Sequence, residues 1–186
     1  MKHNYLPVSS LFAQPGRYLV PLFQRSYVWT EDEQWKPLWD DIRRVAEDVL
    51  IGKEPVRTHF LGSVVLELQQ TSAGHLATRE IIDGQQRLTT LQLFLKSAAD
   101  IASKAVANLA AGQLADLVQN RYVPEHEPEG RFKVWPTEAD QPPFVAVMDA
   151  EDGKTPVTFG DHSFAMAYQF FAKSVVNGSM RKPRNP

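Results

Sequence analysis

Residues 83–87 place a carboxylate, a glycine, two amides and a guanidinium in five consecutive positions, Asp83-Gly84-Gln85-Gln86-Arg87. Ile81 and Ile82 run into this break, and an apolar-periodic run leaves it through Leu88, Leu91, Leu95, Ala98 and Ala102, widened by Phe94 and Ile101. The pattern predicts a strand, a tight turn and an amphipathic helix. A helix N-terminus exposes unpaired backbone N–H groups and a partial positive charge, which suits a phosphate. Arg87 adds to that reading, because a cation in the first helical turn opposes the macrodipole at ~0.3–1 kcal/mol unless an anion lies nearby. The plainer reading is a capped helix. Asp83 and Gln86 have capping-box spacing, an N-cap aspartate alone contributes ~1 kcal/mol, and Arg87 would sit in solvent. Both readings stay open at this level.

A second group precedes it. If 21–29 is extended, Phe23, Arg25, Tyr27 and Trp29 alternate onto one face, where one guanidinium among three aromatics suits a planar anion such as a nucleotide or a flipped base. The alternative is a half-buried edge strand with core aromatics and a snorkelling arginine. His59 and Ser63 lie around Gly62 on a strand-like run, where a lone histidine is more often structural than catalytic.

These residues carry a resemblance. Asp83-Gly84-Gln85-Gln86-Arg87, followed by Leu88-Thr89-Thr90-Leu91, resembles the signature of the N-terminal domain of GmrSD-type, modification-dependent restriction proteins. That domain is related in fold to ParB and sulfiredoxin. Pro21-x-Phe23-Gln24-Arg25-x-Tyr27-x-Trp29, Leu38-Trp39-Asp40-Asp41-Ile42, His59-Phe60-Leu61-Gly62-Ser63 and Pro136-Thr137-x-x-Asp140 are similar to further blocks of the family, in order over about 15–175.

The resemblance implies binding and hydrolysis of a nucleoside triphosphate (GTP, ATP, CTP or UTP) with Mg²⁺, regulating restriction of modified or foreign DNA. Asp83, Gln86 and Arg87 are then the catalytic candidates, with Asp83 also the metal ligand. Gln24, Arg25, Tyr27, His59, Ser63, Gly84, Gln85 and Arg87 are the nucleotide-binding candidates. DNA would be met through other regions or a partner, and a nuclease domain would lie elsewhere in the protein or on a partner chain. The runner-up is a non-catalytic nucleotide- or DNA-binding switch. A nuclease in its own right ranks last, since the sequence offers no metal-binding cluster.

The elements that must position these residues follow from periodicity. A short helix at 8–14, a strand at 17–20 and a helix opened by a Thr30/Glu33 capping box come first. Pro37 requires either a separate first turn, with the main helix starting near Lys36, or a kink. Trp35, Leu38 and Trp39 read as core, Asp40 and Asp41 as solvated. The runs at 59–68 and 77–82 read as a hairpin feeding the Asp-Gly break, and the helix beyond it reaches about Ala107. A weaker helix at 113–121, a short strand at 131–134, a short helix after Asp140 and a helix at 163–176 complete the reading. The expected fold is α+β, a small mixed sheet packed by helices, ParB/sulfiredoxin-like. The resemblance implies a ParB-like nucleotide-binding domain at 1–160 and, at 161–186, a helix and basic tail that begin a larger helical region.

Composition narrows the classes. The chain of 186 residues has a formal net charge of −2, so no global attraction to nucleic acid exists and DNA contact must be local. With no cysteine there is no disulfide framework or thiolate metal site. No signal-peptide pattern or membrane-length apolar run appears, so a cytoplasmic protein is expected, with a homo-oligomer left open. Gly153-Lys154-Thr155 imitates a phosphate loop, but the position of the required first glycine is Met148. His3, His59, His75, His126 and His162 show no metal-ligand spacing.

Overall fold

A computed structural model describes residues 4–53, 59–150 and 159–179. His3, part of the 52–58 connection, Gly153-Lys154-Thr155 and the basic tail from 180 lie outside them.

The fold is α+β. A four-stranded mixed sheet runs in the order β2-β3-β1-β4. β1 (Arg17–Leu19) pairs in parallel with both β3 (Thr78–Asp83) and β4 (Val134–Trp135), while β2 (Val65–Leu68) pairs antiparallel with β3. The expected hairpin is therefore present. Its first strand is shorter than the apolar run, because 59–64, broken by the left-handed Gly62, does not join the sheet.

Among the described residues six α-helices accompany the sheet: α1 (Val8–Ala13), α2 (Lys36–Leu50), α3 (Gln85–Lys104), α4 (Asn108–Val118), α5 (Gln141–Met148) and α6 (Ser163–Ser179). The Pro37 question resolves toward a separate first turn. Glu31–Trp35 forms one π-helical turn, and Pro37 lies at the start of α2, where its missing N–H would have had no helical partner anyway.

α3 departs from the expected surface amphipathicity. Its first three turns are buried nearly all round, with Leu88, Leu91, Leu93 and Leu95 joined by Thr89, Thr90, Gln92 and Ser97. Several of these polar groups find partners, although Gln92 Oε1 is buried without one among the described residues. Thr90 Oγ1 donates to Gln86 O at 2.7 Å, Ser97 Oγ to Phe94 O at 2.7 Å, and Gln92 Nε2 to Leu117 O at 3.1 Å. α6 lies against α3 through Phe164, Ala167, Tyr168 and Phe171, all in the same apolar cluster as β3 Ile81 and α5 Phe144. None of the described helices is long and apolar enough to cross a membrane.

Candidate functional site

Gly84 makes the turn from β3 into α3. It occupies the N-cap position at φ +99°, a left-handed conformation that a side chain would strain, and no side chain caps the helix. The capping-box expectation is therefore corrected. Asp83 is exposed at the end of β3, and Gln86 is turned elsewhere. The Thr30/Glu33 box also fails to form. Gln34, not Glu33, reaches back to the Thr30 N–H, at 2.9 Å.

The two signature glutamines hold a neighbouring stretch of chain. Residues 24–28 are not a strand, so their backbone groups need partners other than a ladder. Gln85 Nε2 donates to Arg25 O at 2.9 Å and Gln24 Oε1 at 3.2 Å. Gln86 Nε2 donates to Ser26 O at 3.1 Å, while its Oε1 accepts from Val28 N–H at 2.9 Å. Asp140 Oδ2 accepts from Tyr27 N–H at 2.9 Å and from Thr137 Oγ1 at 3.2 Å. Gln24 Nε2 completes the set by donating to Ile82 O at 3.1 Å. Both ends of the Gln86 amide are thus committed to backbone.

This clamping corrects the one-face expectation for 23–29. Without a pleated ladder, strict alternation has no hold on the segment. Phe23 is 77% exposed and Arg25 is exposed, whereas Tyr27 is buried. The Tyr27 hydroxyl lies 2.7 Å from Thr90 Oγ1 and accepts from Trp35 Nε1 at 2.8 Å, and its ring packs on Phe164. Burial raises its pKa above the ordinary tyrosine value, so it stays a neutral core group.

Arg87 goes the other way, into a small cleft of about 180 Å³. Polar groups of Gln34, Asp41, His59 and Arg87 line it together with the Trp29 indole, against Leu38, Phe60 and Leu61. Arg87 Nη1 donates to Ser63 O at 2.5 Å. Two glycines leave space for the guanidinium. A Cβ on Gly62, itself at φ +98°, would lie 2.8 Å from Arg87 Cζ, and one on Gly84 would lie 3.3 Å from Nη1. His59 Nε2 lies 3.1 Å from Asp41 Oδ2, and Asp41 Oδ1 accepts from Arg44 Nη2 at 2.7 Å.

The sequence-predicted residues therefore divide. Arg87 and His59 meet in the cleft, with Ser63 contributing its carbonyl and Gly84 its lack of a side chain. Gln24, Gln85 and Gln86 form the amide clamp, Tyr27 is core, and Arg25 and Asp83 are exposed and not among the residues that line the cleft. Asp41, assigned above to solvent, was missed. Its three-residue spacing from Leu38 puts the two on one helix face, which was the available signal.

A larger groove, about 580 Å³, lies elsewhere, around Lys96, Asp100, Arg131 and Asp149. Its charges are already matched: Lys96 Nζ is 2.8 Å from Asp100 Oδ1, and Arg131 makes two 2.6 Å bonds to Asp149. A ligand there would have to displace these pairs, so size alone does not make it the better site.

The glycine-flanked arginine and the clamped segment come from the blocks whose order carried the resemblance. A comparison with curated proteins gives no match. The family of GmrSD restriction endonuclease N-terminal domains matches residues 8–177. The chain belongs to that family, which ties it to DNA restriction.

Proposed function

We propose that this domain binds and hydrolyses a nucleoside triphosphate, and that this controls the restriction of modified or foreign DNA. The observation that carries the reading is Arg87. Among the described residues no carboxylate lies within ion-pair distance of it, and its one hydrogen bond goes to a backbone carbonyl, so positive charge remains for a ligand. A guanidinium with N–H groups to spare matches phosphate oxygens, and in phosphoryl transfer it would offset charge developing on them.

The cleft is smaller than the ~300–1,000 Å³ of whole small-molecule sites, so it would take the phosphate end of a nucleotide. His59, held beside Asp41, would orient the attacking water, a role for which Gln86 has no amide atom left over. Asp83 fits Mg²⁺ in its chemistry: an exposed carboxylate with no partner among the described residues offers the hard oxygen that this ion prefers. When bound, the ion would shield the phosphates from the aspartate.

The test is phosphate release from GTP, ATP, CTP and UTP with Mg²⁺, in wild type and in Asp83→Ala and Arg87→Ala variants shown by thermal melting to be folded. Turnover lost in both variants supports the hydrolytic site. Absence of turnover, with nucleotide-dependent stabilisation that Arg87→Ala abolishes, would replace it by a binding switch. Turnover undiminished in Arg87→Ala sinks both.

A further inference from the structure

The five histidines show no ligand spacing along the chain, yet the fold brings two of them together across 51 residues. His75, in the turn between β2 and β3, and His126, in the loop after α4, meet beside Glu127. The two rings stand edge to face at 75° with centroids 4.6 Å apart. His126 Nε2 lies 3.3 Å from His75 Nδ1 and 3.8 Å from Glu127 Oε1, and His75 Nδ1 contacts that same oxygen. All three ligand atoms lie within 4.8 Å of one another.

A hydrogen-bonded surface trio is the simpler account, but two features do not suit it. Two imidazole nitrogens face one carboxylate oxygen, and the His126 nitrogen stands 3.8 Å from it, beyond hydrogen-bond reach. Moreover, Glu127 is only 8% exposed, and its second oxygen is buried without a hydrogen-bond partner. A buried carboxylate atom left unpaired carries a desolvation cost that a cation would relieve.

We propose that His75, His126 and Glu127 form a binding site for a zinc-type divalent transition metal. Two imidazole nitrogens and one carboxylate are a donor set of the kind zinc takes, with a fourth position left for water. Ligand bonds of about 2.0–2.1 Å in a tetrahedron set donor atoms roughly 3.3 Å apart, and the two histidine nitrogens already stand at that separation. Glu127 Oε1, now in contact with His75 Nδ1, would separate from it to the same spacing as the proton between them leaves. Arg17 acts on the same carboxylate from β1, but it is paired with Glu129 at 3.2 Å, so local charge does not oppose a dication. The bound ion would fasten the β2–β3 turn to the loop after α4. It lies outside the lining of the Arg87 cleft and is independent of nucleotide chemistry.

The test is calorimetric titration of the chelator-treated 186-residue chain with Zn²⁺, repeated with Co²⁺ to read ligand-field absorption. One equivalent should bind, raise the melting temperature and give the intense visible bands of low-coordinate cobalt. His126→Ala, at an exposed residue whose loss should leave the fold intact, and Glu127→Gln should each weaken binding by at least about tenfold and dim those bands. His59→Ala, which removes the other histidine beside a carboxylate, should leave metal uptake and the cobalt bands as in wild type. Equal binding by His126→Ala and wild type overturns the proposal. So does loss of the ion in His59→Ala, or no saturable uptake by wild type.

Discussion

Two depressions in this molecule are lined by arginine and aspartate, and they differ in how completely those charges are matched. In the groove beside α3, Arg131 forms a two-pronged pair with Asp149 and lies over the Phe132 ring at 4.3 Å. Lys96 is held by Asp100 and by Ala150 O, and Asp100 also accepts from the Tyr168 hydroxyl at 2.6 Å. Burial, and then that carboxylate, push the tyrosine pKa upward, so the phenol keeps its proton and the network stays closed. In the smaller cleft, Arg87 donates to a backbone carbonyl in space that two glycines leave open, and among the described residues no carboxylate, Asp41 included, lies within ion-pair distance of it. Volume favours the first depression and residual charge the second. A groove whose ions are paired has completed its electrostatics by folding, whereas Arg87 keeps the unmatched charge on which the proposed nucleotide site rests.

The sharpest way to break the contrast is to remove the guanidinium. Arg87→Ala should lower turnover about 10²–10³-fold, the usual loss when one preorganised donor to a reacting group is deleted. Its melting temperature should stay near wild type, since one exposed hydrogen bond is lost. Equal turnover in Arg87→Ala and wild type would show that the cleft charge is not used.

Gly62→Ala tests position and leaves the charge in place. The new methyl would meet Arg87 Cζ at 2.8 Å, and the flexible arginine is the partner that gives way. The left-handed backbone adds ~1–2 kcal/mol of strain to the native state. We expect nucleotide affinity to fall by about tenfold, which corresponds to ~1.4 kcal/mol, alongside a lower melting temperature. Affinity that survives a clear drop in stability would mean that the guanidinium need not lie where Gly62 lets it lie.

Gln86→Ala removes the clamp and spares the cleft. It removes two part-buried hydrogen bonds, to Ser26 C=O and Val28 N–H, on exposed residues where water can take the partner's place, so the cost is ~0.5–1.5 kcal/mol. Chemical denaturation should show a loss in that range, and nucleotide affinity should change less than in Gly62→Ala.

These variants also show what the sequence could and could not convey. The β3–Gly84–α3 unit was legible because an Asp-Gly break between a β-branched run and a helical period has few other solutions. The role of the glutamines was not. Helix-capping rules see four neighbouring residues, whereas Gln86 reaches back to Ser26 and Val28, and Gly84 takes the cap without a side chain. Tyr27 was drawn toward a ligand face by an alternation that holds only inside a paired strand. Asp41 was assigned to solvent although Leu38, one turn earlier, marked its face as covered. His75 and His126 lie too far apart for any spacing rule, and only the closure of the β2–β3 turn against the loop after α4 brings them together.

The smallest expected effect completes the contrast from the other side. Arg131→Ala opens the larger groove by unpairing Asp149. Their side chains are 40% and 38% exposed, so water screens the pair and its loss should cost only ~0.2–1 kcal/mol, despite two short bonds. For a chain of this size that corresponds to about 1–4 °C in melting temperature. Raising the salt should narrow the gap from wild type, because screening weakens in the parent what the variant already lacks. Nucleotide affinity and turnover should remain at wild-type values. A nucleotide defect here as large as that of Arg87→Ala would move the site to the larger groove, and would show that a ligand can displace a fully paired arginine.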